Sequence, residues 1–323
     1  MGRTIKINFV DFWPGFENNN NYFINTLSQF FKIELSDSPE FIFYSVHGYD
    51  HLNYQCPRIF FSGENQTPDF NICDYAVGFQ HLNFEDRYLR FPLYFVYDNC
   101  LKKAIDKHHF AAEELKVKNR FCDFIFSNSN AHPYRDQFFH DLSTYKEVSS
   151  GGKHLNNIGA PVDNKFEFQQ ESKFSIAFEN TSSNGYVTEK IVQAFSAKTI
   201  PIYWGDPKIG EEFNSRSFIN CHDFESFEKV IEHVKEVDNS DELFMQYLRE
   251  PIYTDLSYGT NKMNEFYEFF KNIFSQKGEQ VYRRNRYYWG KNYEKKLLRQ
   301  ASNHELQFSW RQVLGAFKRK IFN

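Results

Sequence analysis

The chain has 323 residues, of which 41% are hydrophobic and 19% aromatic, with 38 Phe and 20 Tyr. It is too apolar for a disordered chain and too long for one small core, so two domains of roughly 100–200 residues are expected. Net charge is −4 and the five cysteines are scattered without a CxxC pair, which argues against a disulfide framework or a zinc site.

No apolar run approaches the roughly 18 residues of a membrane span. The start, MGRTIKINFV, lacks the apolar h-region of a signal peptide, so a reduced, cytoplasmic protein is expected.

In chain order, TIKINFV (4–10) alternates as a strand and NYFINTLSQFF (21–31) has helical spacing. FIFYSV (41–46), RIFFSG (58–63) and DYAVGF (74–79) read as buried strands ended by turn residues. Residues 99–119 are charged and read as helical, with a domain boundary nearby. The alternation then restarts. FCDFIFS (121–127), KFSIAF (173–178), TIPIYW (199–204) and SFIN (217–220) read as strands. Tyr134 to Leu142, VTEKIVQAFSA (187–197) and 224–237 read as helices, and 243–275 is helical. Such alternation predicts two α/β domains with mostly parallel sheets. The boundaries are drawn at 1–112, 113–278 and a tail at 279–323.

The motifs of other chemistries are missing. There is no GxGxxG, HExxH or GxSxG, and GDPKIGEE (205–212) lacks the Lys-Ser/Thr pair of a phosphate-binding loop. No Asp-x-Asp pair occurs, so a phosphate here must be met by cationic side chains, with no metal ligand set expected.

Three loops then stand out, because sheets of this type bind ligands at the carboxyl ends of their strands. In FENTSSNGYVTEKIVQAF (178–195), Lys190 lies in the first turn of a helix. A cation there opposes the macrodipole unless an anion joins it, and the exposed N–H groups of a helix start attract one. Lys190 can neutralise a diphosphate, Glu189 can accept from ribose hydroxyls, and Asn180 and Tyr186 offer polar contacts. The competing assignment is an ordinary surface Glu-Lys pair. In SNSNAHPYR (127–135), Arg135 can clamp phosphate, or can be a solvated helix arginine. In SGENQTPDF (62–70), Glu64 can be a general base or a turn glutamate, with Asp69 and Glu85 as weaker rivals.

These residues resemble a known family. FENTSSNGYVTEKIVQAFSAKTIPIYWGDP resembles the signature of the α1,3/1,4-fucosyltransferases, glycosyltransferase family 10. SGENQTPDFNICDYAVGF, DRYLRFPLYF and FSNSNAHPYRDQFFHDL resemble further segments of its bacterial members. The resemblance runs from about residue 55 to residue 275. It implies a GT-B fold, with an acceptor domain facing a GDP-fucose domain across a cleft. It implies inverting transfer of L-fucose to the GlcNAc O3 of N-acetyllactosamine-type acceptors, in Lewis-type glycan or lipopolysaccharide synthesis, with no cofactor. Glu64 falls on the family's general base, Arg135 and Lys190 on its phosphate-binding pair, and Glu189 on its ribose-binding acid. Asn180 and Tyr186 fall on its other donor contacts. The alternatives are a GT-B transferase using another nucleotide sugar, or a binding protein without catalysis.

Charge is unevenly placed. Residues 282–323 carry eleven Lys/Arg against two Glu, a balance of +9, which leaves −13 for the remainder. Leu306, Trp310, Val313, Phe317 and Ile321 fall on one helical face. A basic amphipathic tail predicts peripheral contact with an anionic membrane, at its inner face. The acidic body argues against nucleic acid as a partner.

Overall fold

The structure, a computed structural model, describes residues 3–109 and 111–302. The amphipathic face from Leu306 to Ile321 lies outside the described residues. Two compact units are present. The first comprises residues up to Gly78, Leu82–Leu89 and the stretch from Asn264 onward; the second comprises Phe79–His81 and Arg90–Met263.

The first sheet contains β1 (Thr4–Val10), β2 (Lys32–Leu35), β3 (Phe41–Tyr44), β4 (Arg58–Phe61), β5 (Tyr75–Gly78) and β6 (Tyr88–Arg90). Its order is β2-β1-β3-β4-β5-β6, and β2 through β5 run parallel. β3, β4 and β5 are buried at every position, which explains their continuous apolar sequence. The short helix α1 (Tyr22–Leu27) starts at Asn21, whose side chain accepts from the Ile24 N–H at 3.1 Å. Phenylalanine builds the core. Phe23 of α1 packs on Phe43 and Phe61, with ring centroids 5.0 and 4.9 Å apart.

The second unit begins its helices with α2 (Asp98–Ile105), before β7 (Arg120–Phe124), α3 (Tyr134–Ser143), β8 (Val148–Ser150), α4 (Lys165–Gln170) and β9 (Ser172–Phe178). Then come α5 (Glu189–Ser196), β10 (Ile200–Trp204), β11 (Ile219–Asn220), α6 (Phe227–Asp238) and α7 (Asp241–Arg249). The sheet order is β11-β10-β9-β7-β8 and all its pairs are parallel. From β7 the chain moves to β8 on one side, then returns to β9 and on to β10. The strand order therefore reverses between β7 and β9, where open α/β sheets bind ligands.

The next helix, α8 (Tyr258–Ser275), is broken from α7 by Pro251, so the helical reading over 243–275 holds in two pieces. From Asn264 this helix belongs to the first unit. Phe266 and Phe270 pack on Phe23 and Phe43, and Phe274 on Phe41. The sequence-drawn bounds placed this segment with the second domain and residues 90–112 with the first; in the structure both are reversed. A phenylalanine stripe at helical spacing announces that a helix is buried, not which sheet buries it. The strands β2, β6 and β8 were not recognised in the sequence; none exceeds four residues, too few to show a period.

The beginning of the basic tail belongs to the first unit. Residues 288–302 are helical. Arg284 pairs with Asp74, and Arg58 donates to Glu294 at 2.7 Å. Arg283 pairs with Asp86 and Arg286 with Glu279. Three of the cations counted toward a membrane-facing charge are thus matched by acids of this same unit.

Candidate active site

The second sheet brings two loops to its reversal point. The first follows β7. There Pro133 precedes the first turn of α3, preset for a helix start, and Arg135 lies inside that turn. Its side chain is 1% exposed, so it is not the solvated arginine of the competing assignment. The guanidinium donates to the Asn128 carbonyl at 2.6 Å and to Asn180 Oδ1 at 3.4 Å. It rests over the Phe126 ring at 4.5 Å. Its Nε finds no hydrogen-bond partner among the described residues, and the Asp136 carboxylate stands 3.7 Å off. Burial pulls the Arg135 pKa down, opposed by Asp136, but a guanidinium stays charged in any protein. Arg135 is therefore a buried cation with little acid around it.

The second loop runs from Glu179 to Thr188. Gly185 has φ +87°, and a Cβ there would lie 2.3 Å from the Phe79 carbonyl oxygen, so only glycine fits this close approach. Tyr186 next to it is 2% exposed. Its ring meets Phe79 edge to face at 5.0 Å and its carbonyl accepts from the Tyr203 hydroxyl at 3.5 Å. Behind the loop, Arg90 donates to the Phe79 carbonyl and to Glu212, both at 2.8 Å. Tyr94 and Tyr258 also donate to Glu212. Burial pushes the Glu212 carboxyl up, but Arg90 and the hydroxyl donors overcome this and hold it below its ordinary value. This saturated buried network fixes the loop from behind.

At the start of α5 the sequence predicted a lysine seeking an anion, and the structure places one beside it. Lys190 Nζ lies 2.9 Å from Glu179 and 3.8 Å from Glu189. Glu179, fully buried, also accepts from the Thr188 N–H and hydroxyl, each at 2.7 Å. Burial alone would lower the Lys190 pKa; Glu179 and then Glu189 reverse that and hold it above the ordinary lysine value. Burial pushes Glu189 up, but Lys190 and then Lys165 hold it below the usual carboxylate range. Lys165, from α4, donates to Gln193 at 2.7 Å, one turn along α5 from Glu189.

The site candidates are thus brought together in part. Arg135 meets Asn180, and Lys190 sits with Glu189. Tyr186 is buried in the same loop as Asn180. Glu64 belongs to the first unit, follows β4 and is exposed, with its N–H donated to Ser62 Oγ at 2.9 Å. Its rival Asp69 is already engaged, accepting from the Asn71 N–H at 2.9 Å and the Tyr293 hydroxyl at 2.8 Å. Glu179, Thr188 and Lys165 were missed in the sequence. The only local signal was a charged residue directly after an apolar strand, in Phe-Glu-Asn. Among the described residues no group of three or more His, Cys, Asp or Glu is placed to hold a metal ion. Nor is any described helix long and apolar enough to cross a membrane.

Two α/β units with parallel sheets, one carrying cations at its reversal point, are the build of a nucleotide-sugar transferase of the GT-B class. Comparison with known proteins agrees. Residues 7–97 match the family model of the alpha-(1,3)-fucosyltransferase FucT N-terminal domain, and residues 115–251 that of glycosyltransferase family 10 (fucosyltransferase). The chain belongs to glycosyltransferase family 10. It is 36% identical over 288 residues to the alpha-(1,3)-fucosyltransferase FucT of Helicobacter pylori, covering 76% of this chain and 60% of that protein. It is 33% identical over 221 residues to a putative fucosyltransferase of Acanthamoeba polyphaga mimivirus, covering 64% and 36%. A crystal structure of an alpha1,3-fucosyltransferase with GDP-fucose superposes with a TM-score of 0.75 at 31% identity, covering 88% of this chain and 94% of that one. The chain therefore spans less than two thirds of the length of the two curated relatives.

Proposed function

We propose that the protein transfers L-fucose from GDP-fucose to the GlcNAc O3 of an N-acetyllactosamine-type acceptor, with inversion at the fucose C1. The observation that carries the reading is Arg135, a buried guanidinium short of acid at the reversal point of a family 10 donor sheet. In this reading Arg135 and Lys190 take the diphosphate, Glu189 accepts from the ribose hydroxyls, and Asn180 and Tyr186 complete the donor contacts. Glu64 takes the proton of the acceptor hydroxyl as its oxygen bonds to C1. The C1–O bond to the β-phosphate breaks on the opposite face, and its electron pair leaves with GDP. The two cations meet the charge that grows on the leaving group, each such contact contributing about 3–4 kcal/mol in the transition state. No metal or cofactor is assigned a step. The acceptor belongs to Lewis-type glycan or lipopolysaccharide synthesis, and the basic tail would bring the enzyme to an anionic membrane surface that presents it.

The test is GDP release from GDP-fucose with N-acetyllactosamine in the presence of a chelator, with Glu64→Gln alongside. Acceptor-dependent release is expected, reduced at least about 100-fold by the substitution. Full activity in Glu64→Gln would remove Glu64 as the base. A wild-type protein that neither binds GDP nor releases it would sink the donor assignment. The linkage formed, read by proton NMR of the product, checks the O3 position and the inverted anomer.

A further inference from the structure

Glu179 is held in a purpose-built position. It follows the last residue of β9, and its N–H donates to the Trp204 carbonyl of β10 at 2.8 Å. A Cβ on Gly205 would lie 2.5 Å from Glu179 Cγ, so the glycine after β10 makes room for this side chain. Its two oxygens accept three hydrogen bonds. One takes the Thr188 N–H; the other takes the Thr188 hydroxyl and the Lys190 ammonium. Thr188 Oγ closes the ring by accepting from Lys190 at 2.8 Å. Two of the ammonium's three hydrogens are so committed inside the protein, and both restrain its direction.

A lysine buried without a counterion gives up its proton, its pKa falling by up to 3–5 units. A neutral amine would be of little use to a diphosphate. We propose that Glu179 is a positioning residue of the donor site, which keeps the part-buried Lys190 as an ammonium and aims its third hydrogen at the ligand's phosphate oxygens. The proposal rests on the donor-site reading above. It also accounts for an awkward charge balance. Burial pushes the Glu179 carboxyl up, opposed first by Lys190 and then by its bonds from Thr188. The Lys190 contact at 2.9 Å and the two Thr188 donors favour the carboxylate–ammonium form. With Glu189 also ionised, Arg135 and Lys165 are needed to offset the acid at the start of α5. The groups that bear on Lys190 come from several elements: Glu179 and Tyr186 from the loop, Glu189 beside it on α5, Lys165 from α4 and Tyr97 ahead of α2. Glu179 is the nearer of the two acids, at 2.9 Å against 3.8 Å for Glu189, so its removal should dominate.

The experiment is GDP affinity by titration calorimetry from about pH 6 to about pH 10, for the wild type, Glu179→Gln and Thr188→Val. Glutamine keeps the size and an oxygen for the Thr188 N–H but removes the charge. Near pH 6 the Gln variant should bind GDP within about threefold of wild type. Its affinity should then fall with a midpoint at least about 2 pH units below that of the wild type. Thr188→Val, which leaves the carboxylate in place, should keep the wild-type midpoint. A folded Gln variant with an unchanged midpoint, or one weakened equally at all pH values, overturns the proposal and leaves the donor site standing. Wild-type protein that binds no GDP overturns both. A second readout needs no folded Gln variant. The Lys190 side-chain nitrogen resonance of the wild type, assigned with Lys190→Arg, should report an ammonium up to about pH 10. A neutral amine at pH 7 overturns the proposal.

Discussion

Arg284 in the first unit and Arg135 in the second have side chains that are each 1% exposed, yet their surroundings are opposite. Arg284 pairs with the fully buried Asp74, whose second oxygen accepts from the backbone N–H groups of Arg283 and Arg284 at 2.8 and 3.0 Å. Arg58 is equally buried, and Glu294 lies 2.7 Å from it and 3.5 Å from Arg284. Two guanidiniums thus meet two carboxylates, in a closed cluster that ties residues 284–294 to β4 and to the residue before β5. Arg135 instead meets a carbonyl and an amide oxygen, with its nearest carboxylate at 3.7 Å. Burial does not separate the two arginines; the acid around each does. Around Arg58 and Arg284 two cations are balanced by two acids, whereas the one acid near Arg135 is the part-exposed Asp136, 3.7 Å away, which screens its charge less.

Breaking the closed cluster should have the largest effect. Arg284→Met leaves Asp74 buried against its neighbours without its cation, and should cost about 3–5 kcal/mol of stability. Urea denaturation of the variant reads this directly; a loss below about 1 kcal/mol would show that the cluster is not closed. Arg135→Met should do the reverse. It strands no buried carboxylate, so the urea midpoint should move little, while kcat/KM for GDP-fucose should drop about 100- to 1,000-fold. An Arg135 variant that unfolds as readily as the Arg284 variant would erase the distinction.

The comparison extends to an acid that has no cation in contact among the described residues. Asp123 in β7 is buried and accepts from the Ser175 hydroxyl at 2.8 Å. Burial pushes its carboxyl up to about 6 from an ordinary value of 3.8. The folded protein therefore binds this proton more tightly than the unfolded chain. The resulting stabilisation is present below about pH 4 and is lost as pH rises through about 6. Asp123→Asn, permanently neutral, should gain about 1–3 kcal/mol over wild type at pH 7 and less than about 1 kcal/mol at pH 4. Melting temperatures of both proteins across that range check the sign; an equal difference at both pH values would assign the effect to packing instead.

Much of this architecture is visible in local sequence. Runs such as FIFY and RIFF are buried at every position, as strands covered on both faces are. The first turn of α5 was legible because a lysine at a helix start is electrostatically misplaced on its own. What could not be read was the partner. Glu179 stands eleven positions before Lys190 and is brought to it by a loop that folds back on Gly185. Asp74 and Arg284 are 210 positions apart, and no periodicity links them. The same limit explains α8, whose phenylalanines predicted a buried face but not that the first sheet would cover it.

By itself the sequence determined the parallel α/β character of both sheets, the helix starts and the loops that follow β4, β7 and β9. These depend on side-chain period and backbone capping, which act over a few residues. It also carried the family signature. Only the tertiary structure decided which charges neutralise one another. Charge pairing depends on distance and on the exclusion of water, and both are properties of packed surfaces from remote parts of the chain. That is why Arg283 and Arg284 were counted with a basic tail and proved to be partners of Asp86, at the surface, and of Asp74, in the interior. It is also why Lys190, read as a cation awaiting an anion, is already held by Glu179.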